Sequence, residues 1–123
     1  MLKKFSHVTV LVKDQDEALR WYTEKLGFTR KSDEAFGPGM RWLTIAAPGD
    51  DLEVVLQKPE EERLPLVGKG TAWVIDTDDC RGDYESLSAK GVEFPTPPSE
   101  MPWGTSAVFR DLYGNTFNLV QRR

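Results

Sequence analysis

The chain carries one histidine and one cysteine in 123 residues. A single cysteine, Cys80, forms no internal disulfide, which suits a reducing cytoplasm. No histidine lies near it in the sequence, so it is a poor nucleophile candidate. One histidine excludes any centre that needs two from one protomer, such as the iron triad of two histidines and a carboxylate. Long apolar runs are missing too, and nothing approaches the ~18 residues of a membrane-crossing helix. The early lysines precede no apolar run or small-residue cleavage site, so no signal peptide is expected. Positive charge is sparse and dispersed. The net charge is -4, and only Arg122 and Arg123 cluster near one end. No basic stripe interleaves with aromatics, so neither nucleic acid nor membrane is expected as a partner. The glycine turns FGPG and DLYGN lack the strand–glycine–helix setting that presents N–H groups to phosphate, and no nucleotide cofactor is implied.

What is present is pattern. Residues 5–12 (FSHVTVLV) are rich in Val and Thr and read as a strand. Asp14 or Asp16 can cap a following helix, in which Ala18, Leu19, Tyr22 and Leu26 form an apolar stripe and Gly27 supplies the stop. A strand begins at Phe28–Lys31, a turn is expected over 34–39, and strands follow at 41–47 and 52–57. The first half therefore reads β-α-β-β-β. Residues 59–68 form a charged, proline-containing connector between module 1 (residues 1–58) and module 2 (residues 69–123). The second half repeats the order. It has a strand at 71–75, a helix over 81–90 capped by Asp78 or Asp79 and ended by Gly91, and a strand opening at Val92–Phe94. The proline-rich stretch PTPPSEMPWG is expected to be a loop, with strands at 105–110 and 116–121. KLGF at 25–28 matches AKGV at 89–92, and EVVLQ at 53–57 resembles NLVQ at 118–121. The fold class is α+β, with each half leaving a sheet face that must be buried or must line a cavity.

Several pieces in this order resemble the vicinal oxygen chelate superfamily, the glyoxalase, bleomycin-resistance and extradiol-dioxygenase group. They are HVTVLVKD at 7–14, EALRWYTEKLGF at 17–28, LEVVL at 52–56, PWG at 102–104 and VFRDLYGN at 108–115. The resemblance implies two tandem βαβββ modules forming a curved mixed sheet around a cavity, and a homodimer; the lone cysteine places it in the cytoplasm. Metal-dependent members carry four ligand positions, at the start of each module's first strand and on each module's last strand. Matching them here gives His7, Glu53, Gly70 and Asn118. Gly70 is aligned by WVI at 73–75 with VLV at 10–12, and Asn118 stands where the enzymes carry glutamate. Two good ligands remain where a catalytic divalent ion generally takes about three. The expectation is no tightly bound catalytic metal. If an ion (Zn, Ni, Mn or Fe) binds, His7, Glu53 and Asn118 would hold it.

Strand parity sets Glu53, Val55 and Gln57 on one face and Leu52, Val54 and Leu56 on the other. Thr9 and Leu11 share the side of His7. A carboxylate on a partly apolar wall needs a partner, and His7 is the natural one. Three roles stay open for His7: ion ligand with Glu53, neutral hydrogen-bonding group in the cavity, or surface residue. As a catalytic pair, His7 and Glu53 would serve as base and partner. Trp42 and Thr44 are candidates for the cavity face in one half, Ala107 and Phe109 in the other, with the strand phases open. Trp103 either lids the cavity or anchors its loop. Trp21, Tyr22 and Tyr84 read as helix faces packing on sheets. Arg41 either meets an anionic ligand or forms a surface ion pair. The resulting expectation is a small-molecule-binding protein whose ligand-binding residues are His7, Trp42, Glu53, Trp103 and Asn118. The alternative is a metal-dependent lyase or isomerase of the glyoxalase type, using His7 and Glu53.

Overall fold

The alternating residues at the head of the chain form strand β1 (His7–Leu11) in the computed structural model, which describes residues 1–123. Asp14 then turns the chain into helix α1 (Gln15–Leu26) by accepting the Glu17 N–H at 2.9 Å, one of the donors the first turn leaves orphaned. Asp16 and Glu17 place negative charge at the positive end of the helix dipole. Gly27 ends the helix with φ +73°, a left-handed conformation that lets its N–H reach the Tyr22 carbonyl. Strands β2 (Thr29–Gly37), β3 (Met40–Ala46) and β4 (Glu53–Gln57) follow. The sheet order is β1-β4-β3-β2, with β1 parallel to β4 and the other pairs antiparallel. One face of this sheet buries Val10, Leu43, Ile45 and Leu56, and α1 buries Ala18 and Tyr22. Each fully buried large aliphatic contributes about 1.5–3 kcal/mol. These elements belong to a first unit, Met1–Val67. It closes with a 3-10 helix, Glu61–Leu66, inside the stretch read from sequence as an irregular connector.

The second unit, Gly68–Arg123, repeats the order. Strand β5 (Trp73–Asp76) leads to helix α2 (Cys80–Ala89), capped by Asp79 through the Gly82 N–H at 3.0 Å. Strands β6 (Glu93–Met101), β7 (Gly104–Arg110) and β8 (Thr116–Arg122) complete a sheet of order β5-β8-β7-β6. Its core is an aromatic chain. Tyr84 of α2 meets Phe94 edge-on at 4.8 Å, Phe94 lies 5.7 Å from Phe109, and Phe109 stacks on Phe117 at 5.4 Å.

Two expectations change. The turn over 34–39 is narrower, because β2 continues to Gly37 by absorbing register shifts near Ser32 and Gly37. The proline-rich stretch is a strand rather than a loop. Pro95, Pro97 and Pro98 are tolerated because β6 is the sheet edge and bonds only β7, with shifts at Thr96 and Ser99.

The turn from β7 to β8 is knit by side chains. Asp111 Oδ1 accepts the N–H groups of Tyr113 (2.8 Å) and Asn115 (2.9 Å), and its Oδ2 accepts Asn115 Nδ2. Asn115 Oδ1 in turn accepts the Gly68 N–H at 3.0 Å. That approach is so close that a Cβ on Gly68, whose φ is +81°, would stand 2.1 Å from the Tyr113 carbonyl oxygen. Only glycine fits there.

Candidate functional site

Register brings His7 and Glu53 together. They are direct partners in the parallel β1–β4 pair. Thr44 pairs with Val55 of β4 and with Ser32 of β2. Since Leu43 and Ile45 are buried on the other side, Trp42 and Thr44 share the open face with His7 and Glu53.

The side chains form a short relay. The Ser32 N–H donates to Thr44 Oγ1 at 3.1 Å, and the Thr44 hydroxyl donates to Glu53 Oε1 at 2.6 Å. This fixes a carboxylate that is only 28% exposed. Glu53 Oε2 makes no hydrogen bond within the protein. His7 Nε2 lies 3.6 Å from Glu53 Oε1, within ion-pair range but beyond a hydrogen bond. Its Nδ1 and the Ser6 hydroxyl are hydrogen-bonded at 2.8 Å. The His7 ring also lies 5.5 Å from the Trp42 ring, tilted by 55°. Trp42 remains 38% exposed and its indole N–H has no acceptor in the protein. The face thus offers an aromatic surface, a free N–H donor and a free carboxylate oxygen, next to an imidazole.

A divalent ion fits this set poorly. An N–O separation of 3.6 Å is compatible with two ligands on one ion. However, no three histidine, cysteine, aspartate or glutamate side chains come together anywhere in the chain. A catalytic centre generally uses about three protein ligands and one open position.

The second unit meets the expected positions differently. When the two modules are set on their N-cap aspartates, Asp14 and Asp79, Ala72 rather than Gly70 falls in the place of His7. Val55 stands beside Thr9, and Asn118 beside Val74, so Asn118 takes the place of Val55. Thr116, whose carbonyl accepts the Ala72 N–H at 2.9 Å, takes the place of Glu53. Ala107 and Phe109 lie with the buried Phe117 and Leu119, on the side of Tyr84 and α2, and the open face carries Val108 and Asn118 instead.

Trp103 sits at the β6–β7 turn and is 46% exposed, so it is not a buried anchor. Its carbonyl accepts the Arg123 N–H at 3.0 Å, and Arg123 Nη2 donates to Glu100 at 3.1 Å. The Arg81 side chain and the Thr105 hydroxyl bond the same Glu100, and together with Arg123 they keep its carboxyl below the usual range. Arg41 is the ion-pair residue of its two readings. Its Nε and Nη2 grip Asp33 at 2.8 and 2.9 Å, and its Nη1 bonds Asp16 at 2.7 Å. These bonds hold the Asp33 carboxyl below its ordinary value and raise the guanidinium's. Burial pushes the Cys80 thiol up, away from the thiolate a nucleophile needs. Two polar partners escaped the sequence reading, Ser6 on His7 and the Thr44–Glu53 bond. A lone threonine in the run WLTIA was the available signal for the second.

The model of the Glyoxalase/Bleomycin resistance protein/Dioxygenase superfamily matches residues 4–119. The chain belongs to that superfamily. Within it, YetH of Bacillus subtilis is 35% identical over 121 residues, covering 98% of this chain and 100% of YetH. The crystal structure of a superfamily member from Sphaerobacter thermophilus has 34% identity and a TM-score of 0.92, with 98% of each chain covered. TnmS3 of Streptomyces sp. CB03234, described as an antibiotic binding protein, has 31% identity and a TM-score of 0.87. That match covers 99% of this chain and 98% of TnmS3. The superfamily's paired βαβββ modules are the two units described above.

Proposed function

We propose that the protein binds a small, partly apolar organic molecule without changing it covalently and without a resident catalytic metal. The observation that carries this reading is the open face of the first sheet. There the unpaired Trp42 indole and the free Glu53 oxygen flank His7. Trp42 supplies stacking area, its N–H and the imidazole supply polar contacts, and Glu53 accepts from a hydroxyl or ammonium group of the ligand. The acidic net charge of -4 gives slight additional attraction for a cationic ligand. Similarity to an antibiotic binding protein supports the same reading.

The test is a tryptophan-fluorescence titration with bleomycin and other antibiotics on chelator-treated protein. Saturable binding that weakens about tenfold or more in Trp42→Ala, and also weakens in Glu53→Gln, supports the reading. The His7–Glu53 separation of 3.6 Å favours one rival, a divalent-metal lyase or isomerase. A stoichiometric ion in protein purified without chelator, lost in His7→Ala, would establish the rival and overturn the proposal.

A further inference from the structure

The second unit opens with a backbone segment that the ligand face of the first sheet does not use. From Val67 to Ala72, φ changes sign at every residue. It is -60° at Val67 and positive at Gly68 (+81°), Gly70 (+113°) and Ala72 (+51°), with Lys69 and Thr71 on the negative side between them. Ala72 is the one residue other than glycine with positive φ, a conformation that disfavours a side chain. Both ends are tethered. The Gly68 N–H donates to Asn115 Oδ1 at 3.0 Å, and the Ala72 N–H donates to the Thr116 carbonyl at 2.9 Å. The Thr71 hydroxyl bonds that same carbonyl at 2.6 Å.

Between the tethers, the N–H groups of Lys69, Gly70 and Thr71 donate to nothing in the protein. Three free amides in succession can offer an anion several donors at once. Lys69 and Gly70 line a groove of about 710 Å³ together with Arg110 and Thr116, and a Cβ placed on Gly70 would meet nothing within 4 Å. The Lys69 ammonium has no partner. Arg110 pairs with Glu93 through Nη1 alone, leaving its other donors free. Asp111 also borders the groove, but its carboxylate is taken up by the Tyr113 and Asn115 donors. Ala72 and Thr116 hold the places that His7 and Glu53 hold in the first unit. Glu93, the partner of Arg110, lines the groove as well.

We propose that the Lys69–Thr71 amides, with the Lys69 ammonium and Arg110, form a site for a small oxyanion, a carboxylate or phosphate group. This site is independent of the ligand face in the first unit. The test is amide-resolved NMR of the ¹⁵N-labelled full chain, titrated separately with inorganic phosphate and with acetate, using sodium chloride at matched ionic strength as control. The expected result is saturable shifts centred on Lys69, Gly70 and Thr71 with at least one oxyanion and not with chloride. Binding should weaken about tenfold in Lys69→Glu, as expected for loss of a charge-assisted contact. Lys69 is exposed, so the variant's remaining spectrum should match the parent and report an intact fold. Saturation by phosphate alone or by acetate alone supports the site and names its ligand class. Non-saturating shifts, shifts that chloride reproduces, or undiminished binding in Lys69→Glu would overturn it.

Discussion

Replacing Thr44 by valine keeps the side chain's shape and branching and removes only its hydroxyl. That hydroxyl is fully buried, donates to Glu53 Oε1 at 2.6 Å and accepts the Ser32 N–H at 3.1 Å. A hydrogen bond to a charged group is worth about 1.5–3 kcal/mol, and an orphaned backbone donor costs about 1–3 kcal/mol. Both figures shrink here, because Glu53 keeps 28% exposure and Ser32 is half-buried, so water replaces part of each bond. The added methyl recovers about 0.8 kcal/mol. The net expected loss is roughly 1–2 kcal/mol. Urea denaturation followed by circular dichroism should show a lower midpoint at unchanged slope. Glu53→Ala and the double variant complete a cycle that isolates the bond, with an expected coupling of about 1 kcal/mol. Effects that add to within about 0.3 kcal/mol would mean that the hydroxyl and carboxylate do not act on each other, refuting the relay.

Acid should weaken the first unit through Asp33. Its folded value lies below the ordinary 3.8, so its contribution is present above that pH and is lost as pH falls through the lowered value. Urea midpoints taken from about pH 5 down to about pH 2 should fall less steeply for Asp33→Asn than for the parent. Gly68→Ala should cost more than about 3 kcal/mol, since a Cβ meets the Tyr113 carbonyl in a left-handed backbone. A thermal melt unchanged from the parent would contradict the described approach. Phe109→Ala removes the centre of the second unit's aromatic chain and should cost about 3–5 kcal/mol in denaturant unfolding.

The element order was legible because the signals that set it are local. Asp14 with Glu17, the stripe through Ala18 and Tyr22, and Gly27 specify a helix without reference to anything distant. The parity of Glu53 against Leu56 was legible for the same reason, since a strand alternates whatever it pairs with. The fate of PTPPSEM was not. Prolines exclude a central strand, but only the strand order reveals that β6 needs no partner on its outer side. Phases in β7 were equally hidden, because SAVF puts one small and one larger residue on each face. The site was half legible. His7 and Glu53 were named from their positions, yet their contacts with Ser6 and Thr44 depend on register between segments far apart in sequence. The place of His7 in the second unit fell two residues from the motif-based choice, because short apolar triplets align in more than one way.

The prolines of β6 also bear on how the protein behaves at high concentration. An outer strand normally presents a row of unpaired donors and acceptors that another chain can extend. Pro95, Pro97 and Pro98 remove donors from that row, and the register shifts at Thr96 and Ser99 interrupt its straight run. On the first sheet the corresponding margin, β2, carries Arg30, Lys31, Asp33 and Glu34, whose charges resist stacking against an identical copy. The β6 and β2 edges are therefore poor templates for fibre growth. This matters beside Trp103, whose exposed ring borders β6, because apolar surface next to an extendable edge is the usual starting point of amyloid-type assembly.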